Sequence, residues 1–179
     1  MKDYWRNFYE TKKFKVKNAS SFAKFCLPLI KGKGDLLVDV GCGNGRDSYY
    51  FAKNGVDVIG IDRYTKPKDV KNASFIQNDF TRLSFYQRPV YARFLLHSIE
   101  SLEIITLLEM VRSLVMLEFR NVGDKPKLYR HERNLIDGNV IFEILVKMGF
   151  EIIYFKIGMG MAKYKTENPL ICRIIARKF

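Results

Sequence analysis

The chain is poor in the residues that build metal and disulfide frameworks, with only two histidines and three cysteines. Cys26, Cys42 and Cys172 stand far apart and form no C-x-x-C pair. A zinc site or a disulfide scaffold is therefore unsupported, no metal is expected, and the cysteines read as reduced packing residues. No stretch approaches the ~18 uncharged apolar residues that a membrane span requires. The start, MKDYWRNFYETKKFKVKN, lacks the apolar core of a signal peptide, so a cytoplasmic protein is expected. No G-x-x-x-x-G-K-[ST] run occurs, which removes a P-loop. Acids are scarce as well: 19 Asp and Glu face 31 Lys and Arg, a net charge of +12, and residues 1–34 alone hold nine basic and two acidic side chains. That excess fits a solvated basic face, an anionic small substrate, nucleic acid or an anionic membrane surface.

At 179 residues, 47% apolar and 28% charged, the chain suits one soluble globular domain spanning 1–179. Its segments alternate. DLLVDVG (35–41) and VDVIGID (56–62) are short β-branched runs, and between them RDSYYFAKNG reads as a helix that Gly55 ends. ASFIQNDF (73–80) is a third strand, reached through a connection too poor in apolar residues for a helix. VYARFLLHSI (90–99) is a fourth strand. It leads into ESLEIITLLEMVRSL, where Leu102, Ile105, Leu108 and Val111 or Met110 recur at helical spacing. LVMLEFR (114–120) is a fifth strand and NVIFEILVKMGF (139–150) an amphipathic helix. FEIIYFKIG and LICRIIARKF then read as a closing antiparallel hairpin. The expected fold is α/β, doubly wound and Rossmann-like, with a mostly parallel seven-stranded sheet.

The first strand ends in a glycine turn and the second in an acid. Strand, glycine turn, helix, strand, acid is the layout that places a nucleotide-like ligand outside the carboxyl ends of a parallel sheet. Gly41, Gly43 and Gly45 are spaced G-x-G-x-G, and Arg46 follows, so the third glycine of the dinucleotide pattern is not where it should be.

VDVGCGNGRDSYYFAKNGVDVIGIDR resembles the nucleoside-binding half of class I S-adenosylmethionine-dependent methyltransferases. The resemblance implies that the backbone at Gly41, Gly43 and Gly45 passes beside the methionine and ribose of S-adenosylmethionine. It implies that Asp62 accepts both ribose hydroxyls, that Asp79 and Phe80 in QNDF meet the adenine, and that Asp39 faces the donor's amino end. A carboxylate suits a diol because it offers two acceptors to two donors.

The acceptor side is less marked. After the fourth strand the chain reads YARFLLHSIE, with Arg93 and His97 in place of the Asn-Pro-Pro-aromatic run that marks methylation of a nucleobase amine. LEFRNVGDKPKLYRHERNLID gathers Arg120, Arg130, His131 and Arg133 on one connection, which suggests an anion clamp, since guanidinium forks match phosphate or carboxylate oxygens. Lys163 and Tyr164 in GMGMAKYKTENPLICR can overhang the same strand ends.

Trp5, Tyr9, SSFAKF, YARFLLHSI, EFR, HER and GMAKYKTENP followed by Arg173 are similar to methyltransferases of bacterial surface-polysaccharide assembly. These include enzymes that cap O-antigen chains at a phosphate and enzymes that methylate the phosphoramidate of capsules. The family's His-Tyr-Arg-Arg stands here as His131-Glu132-Arg133-Asn134, and its Asp as Asn168. The implied activity is transfer of a methyl group to an oxygen of a phosphorylated, phosphoramidate-bearing or sugar precursor. An anionic oxygen needs no general base; a hydroxyl needs one, and His97 or His131 is the candidate. An RNA methyltransferase and a non-catalytic S-adenosylmethionine-binding module use the same donor site. The basic, aromatic segment 1–34, with Trp5, Tyr9 and Phe22, is expected to close over the donor as a lid.

Overall fold

β-Branched runs bounded by turn residues become strands: β1 (Leu37–Val40), β2 (Val58–Asp62), β3 (Ala73–Gln77), β4 (Val90–Arg93), β5 (Leu114–Arg120), β6 (Glu151–Gly158) and β7 (Ile171–Arg177). The helices are α1 (Lys2–Thr11), α2 (Ser21–Ile30), α3 (Arg46–Lys53), α4 (Ser101–Met110) and α5 (Gly138–Lys147). The computed structural model describes residues 2–11, 18–32, 34, 36–84, 87–125, 134–163 and 166–179.

The seven strands form one sheet in the order β3-β2-β1-β4-β5-β7-β6. β1 to β5 are mutually parallel, while β7 runs antiparallel to both β5 and β6. Strand order reverses between β1 and β4, and their carboxyl ends diverge there into a crevice. As the sequence implies, no helix joins β2 to β3.

Each face of the sheet has its own apolar cluster. α4 and α5 cover one, with Val38, Val90, Leu117 and Ile174; α2 and α3 cover the other, with Leu37, Tyr91, Met116 and Ile175. Neighbouring strand residues fall into opposite clusters because side chains alternate across a pleat. Burying a side chain such as Phe22 or Phe51 contributes ~1.5–3 kcal/mol.

Three expectations need correction. The fourth strand does not run to residue 99. It stops at Arg93, because Phe94 takes a left-handed conformation (φ 58°) and a 3-10 turn follows over Leu96–Ser98. α4 is rotated from the expected phase: Ile104, Leu107, Leu108 and Val111 are buried, and Leu102 is 77% exposed. Phe22 is no lid residue. α2 is a core helix whose Phe22, Ala23, Cys26 and Ile30 are buried, and Phe22 stacks on Tyr91 with ring centroids 5.4 Å apart. Burial raises the thiol pKa of Cys26, Cys42 and Cys172, in keeping with packing roles. No helix among the described residues is long and apolar enough to cross a membrane.

Candidate active site

A cavity of about 700 Å³ opens at the carboxyl ends of β1 and β4, within the size range of small-molecule sites. On the donor side it is built from the glycine turn. Gly41 (φ 74°) lies so close to Leu95 that an added Cβ would stand 2.9 Å from Leu95 Cδ1. The Gly43 amide donates to Asp62 Oδ2 at 3.0 Å, and the amides of Tyr64 and Thr65 donate to Oδ1 at 2.8 and 3.3 Å. Asp62 thus ties the turn after β1 to the turn after β2, with its carboxylate in the cavity wall. Burial raises its pKa against these backbone donors.

Asp39 stands at the other side of the turn, buried, and accepts the Ser48 hydroxyl at 2.5 Å. Burial, aided by the charges of Asp47 and Asp62, outweighs Ser48 and Arg93 and lifts its pKa to about 7.

Beside it Asp47, in the first turn of α3, accepts the Ser20 amide at 2.7 Å and the hydroxyls of Ser20 and Tyr91 at 2.8 Å each. Ser20 also caps α2 by accepting the Ala23 amide at 2.9 Å. This buried knot fixes the starts of two helices in the cavity wall. Its members carry no sequence signature, since their partners are 27 to 71 residues away.

Not every expected donor contact is in the wall. Gly45 (φ 74°) starts α3 and packs against Phe75, outside the cavity. Asp79 caps the 3-10 turn over Phe80–Arg82 by accepting from the Thr81 amide and hydroxyl, at 3.1 and 2.8 Å. Phe80 is buried in the core. Neither Asp79 nor Phe80 lines the cavity. Instead Arg63 does, donating to Asp79 at 2.8 Å and to Glu103 at 2.5 Å. Burial opposes ionisation of Asp79, but Arg63 and Thr81 prevail and lower its pKa.

On the β4 side of the cavity, Arg93 closes the strand and donates through Nε to Glu118 Oε1 at 2.7 Å. Its guanidinium carbon lies 4.1 Å over the Phe94 ring, and that ring meets His97 edge-on at 5.4 Å. Burial disfavours the charge on Arg93; Glu118, then Tyr91 and Asp47, outweigh it and raise the pKa. Arg46 shares the wall, its pKa lowered by burial and by the neighbouring charge of Arg93.

His97 is buried, and its Nδ1 accepts the Arg120 amide at 3.2 Å. The neutral ring therefore carries its hydrogen on Nε2 and is a donor there. Arg120 lines the cavity as expected, but it is not a free clamp: it is buried and ion-paired to Asp124 at 2.6 Å and to Glu167. Lys163 lines the cavity. Arg130, His131, Arg133 and Tyr164 lie outside the described residues. From α1, Tyr4, Trp5 and Phe8 line the opening as a mutually packed cluster, Trp5 meeting Phe8 edge-on at 5.3 Å. Tyr9 belongs to α1, but its side chain is outside the described atoms.

The sheet order, the left-handed glycine turn and an acid closing β2 define a class I S-adenosylmethionine-dependent methyltransferase fold. The residues fit that donor: an acid at each side of the turn, left-handed glycines whose backbone lines the cavity without side chains at Gly41 and Gly43, and an apolar margin of Tyr4, Trp5 and Phe8. The family described as "Methyltransferase domain" matches residues 31–147, and the chain belongs to it. A search of curated proteins finds no match.

Similar solved structures include magnesium protoporphyrin IX methyltransferase from Synechocystis PCC 6803 with S-adenosylmethionine bound. It is 21% identical with a TM-score of 0.64, over 99% of this chain and 90% of that one. The 1,6-didemethyltoxoflavin-N1-methyltransferase of Burkholderia thailandensis, bound to S-adenosylhomocysteine, is 17% identical with a TM-score of 0.70, over 99% and 86%. The glycopeptide N-methyltransferase MtfA, also with S-adenosylhomocysteine, is 13% identical with a TM-score of 0.68, over 92% and 91%. The cofactor is S-adenosylmethionine and the protein is a methyltransferase.

Proposed function

We propose that the enzyme methylates an oxygen of an anionic acceptor, a phosphate, phosphoramidate or sugar-phosphate group of a surface-polysaccharide precursor. One observation carries the anionic reading: at the strand end where acceptors meet the donor methyl, the chain offers Arg93 and a His97 whose Nδ1 already accepts the Arg120 amide. A hydroxyl acceptor requires a base, and in this tautomer His97 has its Nδ1 lone pair engaged and a hydrogen on Nε2, so the neutral ring has no lone pair left to act as one. An anionic oxygen is already a nucleophile, and it needs only guanidinium and N–H donors to hold it. The carbohydrate part of the proposal rests on the sequence resemblance given above. The relatives named for a porphyrin, a toxoflavin precursor and a glycopeptide support a small or carbohydrate-linked acceptor over a long nucleic acid.

When bound, S-adenosylmethionine supplies a methyl group made electrophilic by its sulfonium. Asp62 would receive the ribose hydroxyls, Asp39 would face the donor's amino group, and the Gly41 and Gly43 backbone would run beside the donor. Arg93 and His97 would orient the acceptor oxygen, with Lys163 at the margin, and Tyr4, Trp5 and Phe8 would exclude water. Positioning of this kind contributes up to ~7–11 kcal/mol in favourable cases.

The test is transfer of a radiolabelled methyl group into a capsule-precursor extract, with bulk RNA in parallel. Label in the extract that resists phosphatase-free washing and is absent from RNA supports the reading; label in RNA alone refutes it. With the accepted substrate, His97→Gln should lower turnover modestly, whereas a loss of ~10² or more would mark a base and a hydroxyl acceptor.

A further inference from the structure

Beneath the cavity two arginines share one carboxylate. Arg93, Glu118 and Arg173 are direct cross-strand neighbours on β4, β5 and β7. They project from the face that α2 covers, as Tyr91, Met116 and Ile175 do two residues away on the same strands. Arg93 Nε donates to one oxygen of Glu118 at 2.7 Å and Arg173 Nε to the other at 2.6 Å. The three side chains are 17%, 0% and 8% exposed, so water screens them little. Arg120 has the opposite arrangement, one guanidinium between the two carboxylates of Asp124 and Glu167.

A buried row of two cations and one anion carries one positive charge in excess. The other carboxyls that act on Arg93, Asp47 and Asp39, do so from a distance and are hydrogen-bonded elsewhere, to Ser20 and Tyr91 and to Ser48. A buried charge without a direct counter-charge is costly. Arg173 directs Nη2 to neutral oxygens, Ser21 Oγ and the Met161 carbonyl, each at 2.9 Å. Its guanidinium carbon lies 5.1 Å over the Phe22 ring. Arg93 is the member of the row that reaches the cavity. Beside it Arg46 and Asp47 pair with each other at 3.5 Å.

We propose that the half-share of Glu118 leaves Arg93 as a subsite for one anionic group, a phosphate or a carboxylate, and that Arg173 sets the charge of this subsite from outside the cavity. Arg173 and Glu118 are then positioning residues. Removing Arg173 gives Glu118 wholly to Arg93 and neutralises the floor, although Arg173 never meets the ligand. Its bonds to Ser21 and Met161 also tie the subsite to the start of α2 and to the β6–β7 connection, both part of the cavity wall. The proposal rests on the anionic reading of the acceptor given above.

The experiment titrates inorganic phosphate by calorimetry into protein saturated with S-adenosylhomocysteine, for the wild type, Arg93→Met, Arg173→Met and Arg173→Lys. One phosphate should bind the wild type and none Arg93→Met. Arg173→Met should weaken it roughly tenfold or more, because a whole buried charge is lost, and Arg173→Lys should recover most of the affinity. Titration of S-adenosylhomocysteine itself reports that each variant is folded. If Arg173→Met is not, Arg173→Gln keeps a donor toward Ser21 and Met161 without the charge and gives the same comparison. Wild-type phosphate affinity in the uncharged Arg173 variant, with Arg93→Met inactive, overturns the charge-setting role and leaves the anionic acceptor standing. Phosphate is also titrated into wild type saturated with 5′-methylthioadenosine, which lacks the amino-acid end, in place of S-adenosylhomocysteine. Unchanged affinity in Arg93→Met, or no phosphate bound by the wild type with either nucleoside, overturns both. Phosphate bound with 5′-methylthioadenosine but not with S-adenosylhomocysteine assigns the subsite to the donor's own carboxylate; that refutes the acceptor reading, and the Arg173 variants titrated with 5′-methylthioadenosine then test the charge-setting role.

Discussion

Asp39→Asn should change how stability depends on pH in a direction that burial dictates. The folded-state pKa of Asp39 is about 7, against 3.8 for an ordinary aspartate. An acid whose pKa is raised by folding binds its proton more tightly in the native state, so it adds stability below the unfolded value and loses that contribution as pH climbs to the folded one. Between pH 4 and about 7 the linkage relation gives a loss of roughly 4 kcal/mol for a full difference of this size, an upper figure since a native state that relaxes around the charge lowers it. Asparagine keeps an oxygen for the Ser48 hydroxyl and does not titrate. Urea unfolding of both proteins from pH 4.5 to 8 isolates Asp39 together with the groups coupled to it, Asp47 and Asp62, because uncoupled titrations cancel in the difference. Wild type minus variant should fall steadily across that window, by several kcal/mol. Parallel curves would refute the argument that desolvation governs Asp39. If the donor's ammonium meets this carboxyl as proposed, binding of S-adenosylmethionine near pH 7 should also release a proton. Calorimetry in buffers of different ionisation enthalpy reads that release directly.

Asp62→Asn sets an amide N–H₂ against one of the three backbone amides that Asp62 now accepts. It should therefore cost ~1.5–3 kcal/mol of S-adenosylmethionine affinity by calorimetry, with unchanged affinity counting against the donor assignment. S-adenosylmethionine and S-adenosylhomocysteine should each raise the melting temperature while NAD and NADP do not, and a comparable rise with NAD would contradict the cofactor reading. Phe94→Gly keeps the left-handed backbone and relieves the ~1–2 kcal/mol it costs a residue with a side chain, but deletes the ring's contacts with Arg93, worth ~0.5–1 kcal/mol, and with His97. The strain relief offsets part of the lost packing, so turnover with the accepted substrate should fall by more than melting; an equal loss of both would make Phe94 merely a packing residue.

The glycine turn and the acid that closes β2 were legible because their logic is local. A turn needing three left-handed glycines, and an acid after the next β-branched run, lie within 22 residues from Gly41 to Asp62 and can be read without knowing any partner. The β4–β5 side of the cavity depends on pairing that no local pattern shows. Arg120 looks like a clamp in sequence because Glu167, which holds it, is 47 residues away. Arg93 and Arg173 meet only through Glu118, across two strand pairings. β1 is buried on both sides and β5 nearly so, so their apolar runs show no alternation to say which residues share a face. Leu102 misled for a related reason: α4 is apolar on most of its circumference, leaving its phase to be decided by packing against the sheet. Phe22 sits in an aromatic-rich opening segment, and only tertiary contacts separate the core helix α2 from α1 at the cavity mouth.

The place of β7 between β5 and β6 has a kinetic consequence. The strand latest in the sequence is an interior one, and both its neighbours precede it. During synthesis β5 must wait with an unpaired edge while the fifty residues between it and β7 are made, and β6 has no partner in the sheet until β7 inserts. Such late, sequence-distant pairing slows folding and leaves apolar edges exposed to other chains. Until insertion Glu118 belongs to Arg93 alone, so the charge balance of the cavity floor changes when β7 docks, and a chain stalled before that step would have the glycine turn without the Arg93–Glu118–Arg173 row beside it.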